Sequence, residues 1–378
     1  MRINIQQLDA IAGAYGVTVL DVDGRPHVLA GSIMDDRVNL YDPRVGERRI
    51  VGSFAGTIDI AVPPDVSHRP GCVVISGFNC VREREQLECR DTYLHWMTPT
   101  ATGAWNSEKI VDEPFLHRVL WADMNGDGRK EIVACTIRGN EGPPPNLRLD
   151  FPPFPEGCRA GPWSSPGAVY WYEQPGGTGT PWVRHLVLDD LRLNHGVTVT
   201  DLDGDGHDDL LIGSNKGILW IDLDRYWTGS PDAIVQISPD EASEVAVFRS
   251  APGAAPTVVA VEPWHGNRLA YYRPSGASLR GPWHKRVVKH DLAQGHSLCC
   301  ADFDDNGRIE VVVGELAGRK LHLYEVSPDG DTWQHHLVDD NMGPGFAVVA
   351  RGLQPNGRLS LVCSGLFSEN LKIYRFET

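Results

Sequence analysis

Positive charge is scarce in this chain. Lys and Arg number 35 against 50 Asp and Glu, a formal net charge of −15, and no basic cluster offsets the excess. Such a surface repels phosphate backbones and anionic lipids, so neither a nucleic-acid nor a membrane partner is expected. Nowhere do about 18 apolar residues run together, the length a membrane-spanning helix requires. Residues 1–7 (MRINIQQ) lack the apolar stretch of a secretory leader, and a cytoplasmic location is expected. The eight cysteines, Cys72, Cys80, Cys89, Cys135, Cys158, Cys299, Cys300 and Cys363, show no metal-ligand spacing. Free thiols are the expectation, with a disulfide among Cys72, Cys80 and Cys89 as the alternative in an exported protein.

Turn-forming residues are plentiful, with 40 Gly and 27 Pro in 378 residues. Many short strands joined by tight turns would use them. A chain of this length accommodates two average domains, yet propellers and barrels of similar size fold as one unit and bury a large core without disulfides.

A repeat decides between these. Segments 123–131 (DMNGDGRKE), 201–209 (DLDGDGHDD) and 302–310 (DFDDNGRIE) superimpose, each lying between two β-type runs. Weaker copies cover 16–32, with a shortened loop at 21–24, and 56–78, 245–262 and 346–365. That makes seven strand–loop–strand units. A second strand pair follows in most, as in 169–172 with 182–187, 269–272 with 283–288, and 321–324 with 333–338. Four strands per unit, repeated seven times, predict an all-β, seven-bladed β-propeller occupying residues 1–378 as a single domain. Its inner strands are expected to start near 16, 56, 117, 195, 245, 296 and 346. The last unit ends at a third strand, 370–376, so the N-terminal strand 2–6 is expected to complete that blade and remove two sheet edges. A β-sandwich with insertions accounts poorly for the seven-fold count.

The acidic loops place oxygen donors at positions 1, 3 and 5 and Gly at position 6, as a hard cation requires. Position 9 is again acidic. The candidate ligands are Asp123, Asn125, Asp127 and Glu131; Asp201, Asp203, Asp205 and Asp209; and Asp302, Asp304, Asn306 and Glu310. An EF-hand needs a glutamate at position 12 and flanking helices; here position 12 is Ala134, Ile212 or Val313 and the flanks are strands. The loops resemble the FG-GAP/VCBS repeats of integrin-type propellers, a likeness that implies Ca²⁺ at each hairpin. Plain Asp/Gly β-turns without metal are the alternative.

Six residues before Asp123, Asp201 and Asp302 stand His117, His195 and His296. A position repeated in each unit recurs around the propeller axis, here at the start of the innermost strand, opposite the acidic loops. Loops between the second and third strands open on the same face and bring Asn79, Arg138, Lys216, Trp264, His265, Asn267 and Glu315. Two insertions, 79–93 and 138–167, also emerge there and would wall a pocket. Converging imidazoles would hold Zn²⁺ or a similar divalent ion, or act as acid/base groups. For any one histidine, an ordinary strand-start residue is the plainer reading.

Segments 116–118 (LHR), 194–197 (NHGV), 261–267 (VEPWHGN) and 296–302 resemble the propeller domain of the aldos-2-ulose dehydratase, or 1,5-anhydro-D-fructose dehydratase, family. The resemblance implies removal of water from a keto-sugar in a histidine-lined, metal-assisted pocket. It implies catalytic roles for His117 (the base), His195, His265 and His296, with Arg138 or the metal stabilising the enolate. Trp264, Asn267, Asn79, Lys216 and Glu315 would contact a small carbohydrate. The family's additional cupin-like part has no counterpart in these residues. Related propellers that eliminate across uronic acid glycosides, such as rhamnosyl-glucuronate, keep a polysaccharide lyase open as an alternative. A non-catalytic glycan- or protein-binding propeller is another. A glycosidase needs two carboxylates across the pocket, for which Asp35, Glu262 and Glu315 are the candidates.

Overall fold

The computed structural model describes residues 2–64, 71–77, 92–100, 102–137, 167–175 and 181–377. These form seven antiparallel four-stranded sheets, each built from consecutive strands except the last. Numbered in chain order, the blades begin with inner strands Ala14–Val22, Asp59–Ala61, Leu116–Ala122, Gly196–Thr200, Val245–Phe248, Gly295–Ala301 and Pro344–Ala350. The seven-bladed propeller and the positions of its inner strands are as expected; the largest offset is three residues, from 56 to Asp59.

The second strands show why this sequence stacks sheets. Val311, Val312 and Val313 are all buried, because both faces of the strand are covered. Alternate side chains enter opposite layers. Val311 and Val313 pack with Val259 and Val261 of blade five, while Val312 packs with Leu361 and Cys363 of blade seven. Likewise Ile132 and Ala134 meet Leu94 and Trp96 of blade two, and Val133 and Cys135 meet Leu210 and Ile212 of blade four. Leu29 with Val74, and Val28 with Val362, continue the ring. Each fully buried Val or Leu contributes about 1.5–3 kcal/mol, so the layers between blades supply most of the driving force.

Closure follows the predicted route. Arg2–Asp9 pairs antiparallel with Asn370–Glu377, setting Ile3 opposite Phe376 and Ile5 opposite Tyr374. Arg375 donates to the Gln6 side chain at 2.7 Å, and Gln6 reaches the Pro43 carbonyl of blade one at 2.9 Å. Asp9 accepts from Tyr41 at 2.8 Å and from Arg48 at 2.9 Å, tying the seventh blade to the first. The sequence reading did not foresee a short helix, Leu223–Trp227, in the last connection of blade four; Asp222 caps it by accepting from the Arg225 backbone N–H. Cys72, Cys135, Cys299, Cys300 and Cys363 are free thiols, and Cys80, Cys89 and Cys158 lie outside the described residues. No described helix is long and apolar enough to cross a membrane.

Deleting residues 2–9 would leave the strand Asn370–Glu377 as an open edge. We expect a lower thermal unfolding midpoint and increased aggregation, read by calorimetry and light scattering. An unchanged midpoint would show that the pairing does not close the ring.

Candidate active site

A repeated irregularity builds the site. In blades three and six the ladder between inner and second strand shifts register around His117 and His296, between Leu116 and Arg118 and between Gly295 and Ser297. A bulge leaves one residue unpaired and re-aims its side chain, here toward the axis. The residues two positions earlier, Phe115 (φ 63°) and Gln294 (φ 60°), are left-handed, as is Leu193 (φ 53°) before His195. Blades one and seven carry a like shift, between Ala14 and Val17, which takes in Tyr15, and between Pro344 and Phe346, at Gly345. Tyr15 thus takes the histidine position of blade one. It lies six residues before Asp21, so the same count identifies it in the sequence. A Cβ on Gly345 would fall 2.8 Å from the Tyr15 ring, and the missing side chain makes room for that ring.

The four histidines converge. His195 and His265 approach to 3.1 Å between their Nε2 atoms. Ring centroids are 4.5 Å apart for His117 and His195, 4.8 Å for His195 and His296, and 4.6 Å for His265 and His296. His265, itself left-handed at φ 46°, stacks on Trp264 at 3.9 Å. Tyr15 Oη lies 2.8 Å from His296 Nε2. His117, His195 and His296 are buried, at 3%, 0% and 1% exposure; Trp264 and His265 are partly exposed and form the outer edge of the cluster.

Three charged residues that sequence reasoning missed complete the arrangement. Arg118, buried next to His117, donates to Glu244 Oε1 at 3.1 Å, lies 3.5 Å from His195 Nδ1 and covers the Phe346 ring at 4.8 Å. Glu244 Oε1 is 2.6 Å from His195 Nδ1. Asp59 is buried and accepts from the Val119 and Ile60 backbone N–H groups at 2.9 and 2.8 Å. Burial opposes the charge on Arg118, but Glu244, Tyr15 and Asp59 outweigh it and hold the guanidinium above its ordinary range. Burial pushes Glu244 up to about 7 and Asp59 to about 6, with Arg118 opposing both shifts. Burial, reinforced by Arg118 or a neighbouring histidine, drives His117, His195 and His296 well below the ordinary 6.5 and His265 to about 3. The four rings are therefore neutral at physiological pH, the form that accepts a proton or binds a metal.

One nitrogen from each of His195, His265 and His296 lies within 4.8 Å of the others, a set able to hold a metal ion. Tetrahedral Zn²⁺ at about 2.0–2.1 Å from each nitrogen requires nitrogen separations of about 3.3 Å, close to the His195–His265 approach. When both are ionised, Asp59 and Glu244 together outnumber Arg118 by one charge, which also suits a cation.

Other expected site residues lie apart from the rings or are engaged elsewhere. Lys216 forms an ion pair with Asp190, and Glu315 accepts from His322 at 2.9 Å. Asn267 is exposed and its backbone carbonyl accepts from Leu292 at 2.9 Å. Asn79 and Arg138 lie outside the described residues, as does nearly all of both insertions.

The acidic loops sit at the far end of the inner strands, six residues or about 20 Å from the histidines. Asp201, Asp203 and Asp209 converge within 4.8 Å, as do Asp302, Asp304 and Glu310. Position 9 braces each loop: Glu131, Asp209 and Glu310 accept from the backbone of Met124, Leu202 and Phe303 at 2.8–2.9 Å. Position 5 turns inward on its own loop, with Asp127, Asp205 and Asn306 accepting from Arg129, His207 and Arg308. Carboxylates 1, 3 and 9 are thus the convergent set. Blade three has Asn125 at position 3, its oxygen accepting from Asp127 N–H, and forms no such three-carboxylate group among the described residues. The buried Glu310 Oε1 lacks a hydrogen-bond partner, and burial pushes Glu131 and Asp209 to about 7 and Glu310 to about 8. Clustered buried carboxylates of this kind suit a cation.

Two outcomes check this geometry. Gly345→Val would press a branched side chain on Tyr15 and lower stability by about 1–3 kcal/mol in denaturant titrations. In metal-free protein, the ring protons of His117, His195, His265 and His296 should not titrate between pH 8 and 5, while exposed His207, raised by Asp224, should titrate above 6.5. A depressed histidine contributes stability that is complete above about 6.5 and drains as pH falls. Asp59 and Glu244, raised, act with the opposite sign, so ring-by-ring titration is more decisive than bulk stability.

No protein-family model matches the chain, and no curated protein matches it. Solved structures do. A luciferin-regenerating enzyme aligns at 12% identity and TM-score 0.48, covering 100% of this chain and 96% of its own. The PQQ-bound aldose sugar dehydrogenase of Streptomyces coelicolor aligns at 14% identity and TM-score 0.45, covering 99% and 98%. A chain of the mitotic checkpoint complex aligns at 12% identity and TM-score 0.58, covering 99% and 91%. At such identities a likeness reaches no further than fold, and of these three the last alone is close enough to bear on it; the seven four-stranded sheets themselves make this chain a seven-bladed β-propeller.

Proposed function

We propose that the protein is a carbon–oxygen lyase that eliminates water from a keto-sugar of the 1,5-anhydrofructose type. The observation that carries this reading is the meeting of neutral imidazoles, a buried guanidinium and a tyrosine hydroxyl at one end of the axis. β-Elimination needs a base for the proton beside the carbonyl, a positive group for the enolate oxygen and a donor for the departing oxygen. Neutral His117 takes the C–H proton. The Arg118 guanidinium, fixed by Glu244, stabilises the oxygen on which charge develops, the role first expected of Arg138. As the C–O bond breaks, Tyr15 gives its proton to the leaving hydroxyl, and the proton that His117 took from carbon then returns to the tyrosine, whose ring centroid lies 6.3 Å from that of His117, so both groups end as they began. Water departs and a conjugated enone remains. Trp264 presents a flat apolar face to the sugar at the partly exposed edge. A divalent ion such as Zn²⁺, held by His195, His265 and His296, would polarise the substrate carbonyl.

Neutral imidazoles serve a uronic acid glycoside equally well, so both substrate classes belong in the test. With 1,5-anhydrofructose or a rhamnosyl-glucuronate oligosaccharide, turnover should appear as new ultraviolet absorbance. His117→Ala and Tyr15→Phe should each lower kcat by about 10²–10⁴-fold. Full activity in His117→Ala removes that residue as the base. Absence of turnover on either substrate favours a binding propeller.

We also assign Ca²⁺ to the acidic loops of blades four and six, where three carboxylates converge in each. Chelation should lower the unfolding midpoint, and added Ca²⁺ should restore it. Asp304→Asn should reduce that response. A midpoint indifferent to chelator would leave the loops as metal-free turns.

A further inference from the structure

His195 Nδ1 faces two rivals. Glu244 Oε1 stands 2.6 Å away and can accept a proton; Arg118 Nη2 stands 3.5 Å away and can only donate one. Arginine keeps its charge in proteins, so its buried guanidinium requires a counter-anion, and Glu244 supplies it at 3.1 Å. An ionised Glu244 in that place draws the Nδ1 proton of His195 toward itself. The lone pair then lies on Nε2, the atom 3.1 Å from His265 Nε2.

We infer that Glu244 is a positioning residue which, held by Arg118, fixes His195 as the Nδ1–H tautomer and so presents its Nε2 lone pair to the histidine cluster. The link to cation binding rests on the metal-assisted reading proposed above. The tautomer itself does not. Residues from three blades take part: Arg118 from blade three, His195 from blade four and Glu244 from blade five. Without the carboxylate, Arg118 becomes the nearest charged group to Nδ1. Its N–H would then donate to that nitrogen, and the imidazole proton would move to Nε2. A protonated Nε2 cannot bind a cation. Groups that orient a ligating imidazole in this way are worth about 10–100-fold in metal affinity.

The experiment uses the full chain, labelled with ¹⁵N at histidine, at pH 8. The His195 signals are identified by their loss in His195→Gln. In metal-free wild type, Nδ1 should carry the proton and Nε2 should be bare; the reverse pattern overturns the proposal before any further variant is made. Glu244→Ala should move the proton to Nε2 and weaken Zn²⁺ binding by about 10–100-fold in competition with a chromogenic chelator. Glu244→Gln keeps an acceptor oxygen toward Nδ1 and should keep the wild-type tautomer. A folded Glu244→Ala protein with an unchanged tautomer overturns the proposal. Wild type that binds no Zn²⁺ but shows the Nδ1–H tautomer supports the clamp and removes only the metal reading.

Discussion

A buried guanidinium must be answered by its neighbours, and much of this molecule is the answer. Arg118 belongs to blade three, reaches Glu244 of blade five, approaches His195 of blade four and rests on Phe346 of blade seven. Removing one partner of such a pair leaves an uncompensated charge, typically a loss of about 3–5 kcal/mol. Burial keeps the surrounding imidazoles unprotonated, and the same cation reinforces it, since a second positive charge nearby would be repelled. Structure and chemistry therefore share one group: it ties blades across the axis and helps hold the site in its basic form.

The way the rings reach that group is economical in local terms. A one-residue irregularity at the start of an inner strand points a residue toward the axis, and in blades one, three and six a left-handed residue, Gly13, Phe115 or Gln294, stands two positions before it. Repeated in different blades, this geometry delivers Tyr15, His117 and His296, and in blade seven it delivers Gly345, whose missing side chain accommodates Tyr15. His265 comes instead from a loop, held in a left-handed conformation against Trp264. One repeated backbone device thus carries different chemistry in each blade.

The propeller was legible in the sequence because each blade repeats one pattern, apolar strands around an acidic turn, and closure by residues 2–6 follows from a missing strand in the last unit. The histidine positions were legible for the same reason. Tyr15 was within reach of the same count from Asp21 but escapes a search for histidines alone. Arg118, Glu244 and Asp59 carry no repeat signal; their importance arises from distance across the axis, which linear spacing does not encode. Lys216 and Glu315 shared the correct face, but ion pairing with Asp190 and hydrogen bonding with His322 occupy their charged ends. Position 5 of the acidic loops met a similar fate, its oxygens being drawn into the turn itself.

The strand Arg2–Asp9 finds its partner only at Asn370–Glu377, so almost the whole chain separates two segments that lie side by side. Ribosomal synthesis delivers the first long before the second. Six blades can assemble while residues 2–9 remain unpaired, and the ring can lock only once the final strand has emerged. Pairings so remote in sequence are slow to form. A nascent molecule therefore spends its vulnerable interval as an open arc with two adhesive margins, and the pairing of Asn370–Glu377 with Arg2–Asp9 ends that exposure.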